Sequence, residues 1–213
     1  MKFQLTNSNL VIVTGGPGTG KTTALLELEK RGIRHAPEVA RQIIREQVQA
    51  GGSALPWADR EAYTRLMLQR SVESFRAHCG VSDLTFADRG LPDTLAYARL
   101  IGLNEAGRIE RACRRYRYAP VAFVAPPWEA IYQTDNERKQ PYEEVSRTHD
   151  HLVETYRACG YELIELPRLP AVERAQFMLT SLEAAPDLRH ARLVRKAVWA
   201  AHGPRKGSNP PRQ

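Results

Sequence analysis

Residues 10–23 read LVIVTGGPGTGKTT, and this stretch decides the fold. Its opening five residues are apolar and mostly β-branched without alternation, the pattern of a central parallel strand covered on both faces. Gly15, Gly16, Pro17, Gly18, Thr19, Gly20, Lys21 and Thr22 follow at once and satisfy G-x-x-x-x-G-K-[ST]. Beyond them Ala24, Leu25 and Leu28 recur at helical spacing until Gly32 supplies a stop. The glycine-rich loop therefore stands where the motif requires it, between a strand and a helix. Glycines let successive backbone N–H groups turn onto phosphates, and the helix N-terminus adds a potential that favours an anion. Lys21 is expected to reach the β- and γ-phosphates and the Thr22 hydroxyl to ligate Mg²⁺. Thr23 serves either as a helix cap or as a contact to the α-phosphate. The expected ligand is ATP with magnesium.

Outward from the loop, strands are predicted at residues 33–37, 84–87, 121–125 and 161–166. Helices are predicted at 38–49, 57–78, 91–100, 105–116, 142–159 and 171–182. Strands alternating with helices imply an α/β fold, a five-stranded parallel sheet flanked by helices on both faces.

Ligands of open parallel sheets bind at the carboxyl ends of the strands, so the residues just after each strand are the ones to inspect. Asp88 ends the third strand, where a carboxylate binds magnesium through water, accepts a proton from an attacking hydroxyl, or simply caps the next helix. Glu38 follows the second strand with Arg41 one helical turn on; the two position a polar substrate or a phosphate, or form a surface ion pair. Arg89 has the fork to clamp a phosphate. Asp93 and Tyr97, at i and i+4, share a helix face that would line the acceptor site. After the fourth strand, residues 132–140 are polar and charged; Arg138, or Lys139 in its place, is the basic residue of a lid over the γ-phosphate, unless the segment is only an exposed loop.

The chain has 213 residues, 42% hydrophobic and 26% charged, which suits one domain with an appendage. No run of about 18 apolar residues could span a bilayer, and nothing in the first residues resembles a secretion signal, so a cytoplasmic location is expected. Cys79, Cys113 and Cys159 lack the spacing of a zinc or redox pair and are expected to be reduced. His149 and His151 diverge on a helix and are poor joint ligands. The net charge of +7 is concentrated at the end: residues 187–213 hold seven basic side chains and one acid, leaving residues 1–186 almost neutral. The division predicts a catalytic domain at 1–186 and a basic tail at 187–213, helical at first and then unfolded through GPRKGSNPPRQ. Leu188, Ala191, Val194 and Val198 run beside the tail's arginines, a pattern suited to a protein or an anionic lipid surface, or to packing against the body. A near-neutral body disfavours a long nucleic-acid track.

Taken together, the blocks GGPGTGKTT, PEVAR, FADRGLPDTLAYAR, PPWEAIYQTDNERK and GYELIELP with VERAQFML, in that order over about residues 10–180, resemble the NadR-like P-loop proteins, whose bacterial namesake contains a ribosylnicotinamide kinase domain. The resemblance implies a P-loop NTPase fold like that of the nucleoside and nucleotide kinases, with a lid. It also implies ATP as donor, Asp88 and Glu38 near the metal and acceptor, and Arg138 in the lid. The leading expectation is a magnesium-dependent kinase that transfers the γ-phosphoryl group of ATP to a small nucleoside-like acceptor. The alternative is a regulatory ATPase or nucleotide-dependent switch whose basic tail meets a protein or anionic lipid partner. GTP is disfavoured by the lack of an N-K-x-D signature.

Overall fold

The computed structural model describes residues 4–104, 106–131 and 142–184. Strand β1 (Leu5–Thr6) leads into β2 (Leu10–Gly15), the phosphate loop and α1 (Lys21–Lys30). Then come β3 (Arg34–Ala36), α2 (Val39–Ala50), α3 (Arg60–Ala77), β4 (Thr85–Asp88), α4 (Leu91–Leu100), α5 (Ala106–Arg115) and β5 (Tyr116–Arg117). The chain continues through β6 (Val121–Ala125), a 3₁₀ turn at Glu129–Ile131, α6 (Tyr142–Ala158), β7 (Glu162–Glu165) and α7 (Ala171–Ala184).

The main sheet has five strands, all parallel, in the order β3-β4-β2-β6-β7. From β2 the chain first builds one side of the sheet, through β3 and back to β4, and only then crosses to β6 and β7. This reversal puts β2 between β4 and β6, and its carboxyl end at a switch point where a crevice opens. Register carries the same consequence to single residues: Val13 pairs with Asp88 and Gly15 with Ala125.

The unbroken apolar run of β2 is explained by two cores. Val11 and Val13 face Leu25, Leu28, Phe86, Phe123, Met178 and Leu179, between the sheet and helices α1 and α7. Leu10 and Ile12 face Phe75, Leu91, Leu95 and Tyr156 on the opposite side. Successive side chains point to opposite faces of a strand, so a strand buried on both faces shows no alternation. Truncating a side chain as enclosed as Leu28, with no exposed surface, costs about 2–5 kcal/mol.

The predicted elements stand, with shifted ends. Helix α3 starts at Arg60 and not at Trp57, because the Asp59 carboxylate accepts the Ala62 N–H at 2.9 Å and caps the helix. A second, two-stranded parallel sheet joins β1 to β5, pairing Leu5 with Tyr116 and Thr6 with Arg117; strands of two residues leave no periodicity to detect. Among the described residues no helix is long and apolar enough to cross a membrane.

Candidate functional site

The loop after β2 turns sharply at Gly15, whose φ is +138° and where a Cβ would lie 2.5 Å from the Ala125 carbonyl oxygen on β6. Only glycine lets the two strands approach so closely there. Gly20 ends the loop in the left-handed region, φ +75°, and caps α1 with no side chain in the way. Lys21, the first residue of α1, folds back over the loop: its Nζ donates to the carbonyls of Gly15 at 2.9 Å and Gly16 at 2.7 Å. Thr19 donates to the Gly16 carbonyl at 2.9 Å and Thr23 to that of Gly20 at 2.8 Å, so the Thr23 hydroxyl is engaged in the first turn of the helix. Burial, reinforced by the nearby Arg89 charge, lowers the Lys21 ammonium to a pKa of about 7 against the partial support of Asp88 and Glu38. An ammonium so destabilised gains most from a phosphate placed beside it.

Adjacency of β4 to β2 brings Asp88 to Thr22, whose hydroxyl donates to Oδ2 at 3.0 Å. The other carboxylate oxygen, Oδ1, is buried and has no hydrogen-bond partner among the described residues. Burial pushes the Asp88 carboxyl above its usual range; Lys21 opposes the rise and Glu38 adds to it. An orphaned carboxylate oxygen next to a loop hydroxyl fits Mg²⁺, which takes few protein oxygens and completes its shell with water and phosphate. The helix-cap reading of Asp88 does not hold, since α4 is capped at Gly90 and the Gly90 N–H is taken by Asp93 at 2.8 Å.

Glu38 sits at the N-cap of α2, yet its carboxylate does not cap that helix. It accepts from Arg89 Nε at 2.8 Å, with Arg41 Nε farther off at 3.7 Å. The principal partner thus comes from across the sheet, and the simple surface pair with Arg41 is a minor part of the arrangement. Burial works to raise the Glu38 carboxyl, but Arg89, Lys21 and Arg41 outweigh it and hold the group below its usual range. Arg89 itself is the one described non-glycine residue with positive φ, at +71°. Left-handed backbone at such a residue costs about 1–2 kcal/mol, and the turn persists because the guanidinium is gripped by Glu38 and, at 3.1 Å, by Asp93.

Asp93 borders a cavity beside Tyr97, as their helical spacing implied, but its carboxylate is committed within the protein. It is 5% exposed, and its carboxylate accepts from Thr14 at 2.6 Å, Arg89, the Gly90 N–H and the Tyr156 hydroxyl. Four donors fill both oxygens, leaving none for an acceptor molecule. Asp93 is a buttress that ties α6 and β2 to Arg89. Tyr97 packs edge-on against Tyr63, with ring centroids 5.6 Å apart, on the wall of a cavity.

Two cavities meet here. One, of about 470 Å³, lies over the phosphate loop and is closed by Trp128, Ile131, Leu169, Pro170 and Arg174. The other, of about 210 Å³, is walled by Tyr63, Met67, Ala96, Tyr97, Leu100 and Leu152, with Thr148 and His151 at one side. Pro17, Glu38 and Arg89 line both.

Arg174 is the principal residue that sequence reasoning missed. It is 2% exposed on α7 and donates through Nη1 to the Thr19 carbonyl at 2.7 Å, while its Nε is buried without a partner among the described residues. Its guanidinium lies 6.0 Å from the centre of the Trp128 ring. The available signal was an arginine within the apolar stripe of Ala175, Met178, Leu179 and Leu182. Arg138, Lys139 and the tail at 187–213 lie outside the described residues.

Residues 10–174 match the model of a family described as an AAA domain. No curated protein matches the chain.

Proposed function

The chain belongs to the AAA-domain family, whose model spans the phosphate loop and every site residue described above, and from that premise we propose that it transfers the γ-phosphoryl group of ATP to a hydroxyl of a small, ring-bearing, nucleoside-like acceptor. The observation that carries this reading is the pair of cavities sharing Pro17, Glu38 and Arg89. A hydrolase or switch needs only the first cavity and a water. A second, aromatic-walled cavity opening beside the phosphate loop is what an acceptor requires.

ATP lies with its phosphates on the loop N–H groups and its γ-phosphate toward Glu38 and Arg89. Lys21 leaves the carbonyls of Gly15 and Gly16 for the β- and γ-oxygens, and Arg174 holds the loop from behind through Thr19. Thr22 and Asp88 would hold Mg²⁺, which when bound neutralises charge on the phosphate oxygens. The acceptor's ring lies in the second cavity, against the wall that Tyr63 and Tyr97 form together. Its hydroxyl is oriented by Glu38, which Arg89 and Arg41 keep ionised and aimed. The acceptor oxygen bonds to the γ-phosphorus as the bond to the β–γ bridging oxygen breaks; the hydroxyl proton passes to Glu38 and on to solvent, and ADP leaves. Positioning and charge stabilisation supply most of the acceleration in such transfers.

The test is ADP release by the purified protein with magnesium and ATP, alone and with a panel of nucleosides. Acceptor-stimulated release that falls about 100-fold or more in Glu38→Gln supports the proposal. Release indifferent to every acceptor favours the hydrolase or switch.

A further inference from the structure

A groove between α3 and α5 shares no lining residue with the two cavities at the phosphate loop. It lies toward the amino-terminal ends of the strands, beside Gln4 and Tyr116, so whatever occupies it does not compete with nucleotide. Its walls hold Arg65, Arg76, Arg108, Arg111, Arg114 and Arg115, of which Arg65 is paired with Glu61 at 2.5 Å and Arg114 with Glu110 at 3.9 Å, and among the described residues its one lining acid is Glu73. That acid already accepts from Gln69 at 2.9 Å and pairs with Arg70 at 3.9 Å. The floor is apolar: Leu68, Val72 and Ala112, half-buried on the core beneath. Arg76 and Arg115 are set 5.4 and 5.5 Å from the centre of the Tyr116 ring, and Arg76 also donates to the Tyr116 hydroxyl at 2.7 Å. Guanidinium groups held on an aromatic plate lose less freedom on binding than solvated ones.

Because residues 1–186 are nearly neutral as a whole, this concentration of positive charge is a local segregation, and like charges gathered along one groove repel one another. An anionic occupant relieves that repulsion. The chain's own tail is excluded, since it carries seven basic residues against one acid. Single-stranded nucleic acid needs open aromatic faces for its bases, whereas Tyr116 is 5% exposed, and phosphates gain nothing from an apolar floor. We propose that this groove docks an amphipathic acidic helix of a partner protein, with its apolar side chains on Leu68, Val72 and Ala112 and its carboxylates bidentate on the arginine walls. The ten residues of α5 correspond to about 15 Å of groove, enough for two to three turns of such a helix.

The experiment uses the full chain and a fluorescein-labelled helical peptide of about 15 residues built from leucine and glutamate, read by fluorescence anisotropy. A peptide with glutamine for glutamate and an oligothymidylate of similar length serve as comparisons. Binding of the acidic peptide is expected to weaken at least about tenfold with the glutamine peptide, in high salt, or in the double variant Arg108→Glu with Arg111→Glu, both exposed residues remote from the nucleotide. Nucleotide binding by the variant must stay at the wild-type level; should it fall, Arg108→Gln with Arg111→Gln is read in its place. Absence of peptide binding, equal binding by the glutamine peptide, an unaltered affinity in the variant, or displacement of the peptide by a tighter-binding oligothymidylate each overturns the proposal.

Discussion

Raising the pH should weaken nucleotide binding in a way that Lys21 alone accounts for. In the free protein its ammonium, buried and facing Arg89, has a pKa of about 7. Bound to phosphate it must be charged, with a pKa back near or above the ordinary lysine value of about 10.4. Binding above neutrality therefore takes up a proton, and affinity falls as protons become scarce. For a free-state pKa of about 7 the protonated fraction drops about 25-fold between roughly pH 7.5 and 9, and affinity should drop with it. Phosphate ionisation does not interfere, because its second step, near pH 6, is complete in this range. Calorimetry of ADP binding near pH 8, in buffers of different ionisation enthalpy, should give about 0.9 proton taken up per nucleotide. Lys21→Arg keeps a charge that does not titrate, so whatever affinity it retains should not vary with pH. A wild-type affinity constant between about pH 7.5 and 9, with no proton uptake, would rule out a titrating Lys21 at the phosphate site.

Asp88→Asn should abolish the enhancement of ATP binding by magnesium and cut turnover about 100-fold or more. The same variant should melt higher without nucleotide, because a carboxyl raised above its ordinary range by burial costs stability at neutral pH, where the unfolded chain keeps it ionised. Thermal melting and magnesium titration check the two halves. Tyr156→Phe removes a buried donor from Asp93 at a cost of about 1–3 kcal/mol, seen as a Tm lowered by about 2–4 °C per kcal/mol. Its ADP affinity should hold while the acceptor KM rises, since the loosened contact reaches the site through Arg89. Truncation after residue 186 should leave acceptor-dependent turnover within about twofold, because every residue given a part in the transfer precedes it; its loss would favour the switch.

Local patterns were readable in the chain and long-range ones were not. The strand, loop and helix around Gly15 and Lys21 are written within one stretch, because glycine spacing and an apolar run are short-range constraints. Asp88 was accessible for a related reason: it follows a buried strand, and carboxyl ends of parallel strands are where ligands gather. Strand order has no such signature, so that β4 rather than another strand flanks β2, bringing Asp88 to Thr22, emerged only in three dimensions. The Glu38 and Arg89 pair spans 51 residues and was hidden behind the nearer, weaker partner Arg41. For Asp93 the helical spacing correctly indicated its face, but spacing carries no information about the three other elements whose donors consume its oxygens. Arg174 was masked by the apolar helix around it, where one arginine looks like an interruption until its contact with Thr19 is seen.

The most direct measurement is ³¹P NMR of the γ-phosphate's fate, with the purified protein, magnesium, ATP and the nucleoside that most stimulates ADP release. A phosphomonoester resonance on the nucleoside is expected to grow in step with ADP, with little inorganic phosphate. Inorganic phosphate growing in step with ADP, and no phosphorylated nucleoside, would contradict phosphoryl transfer to an acceptor.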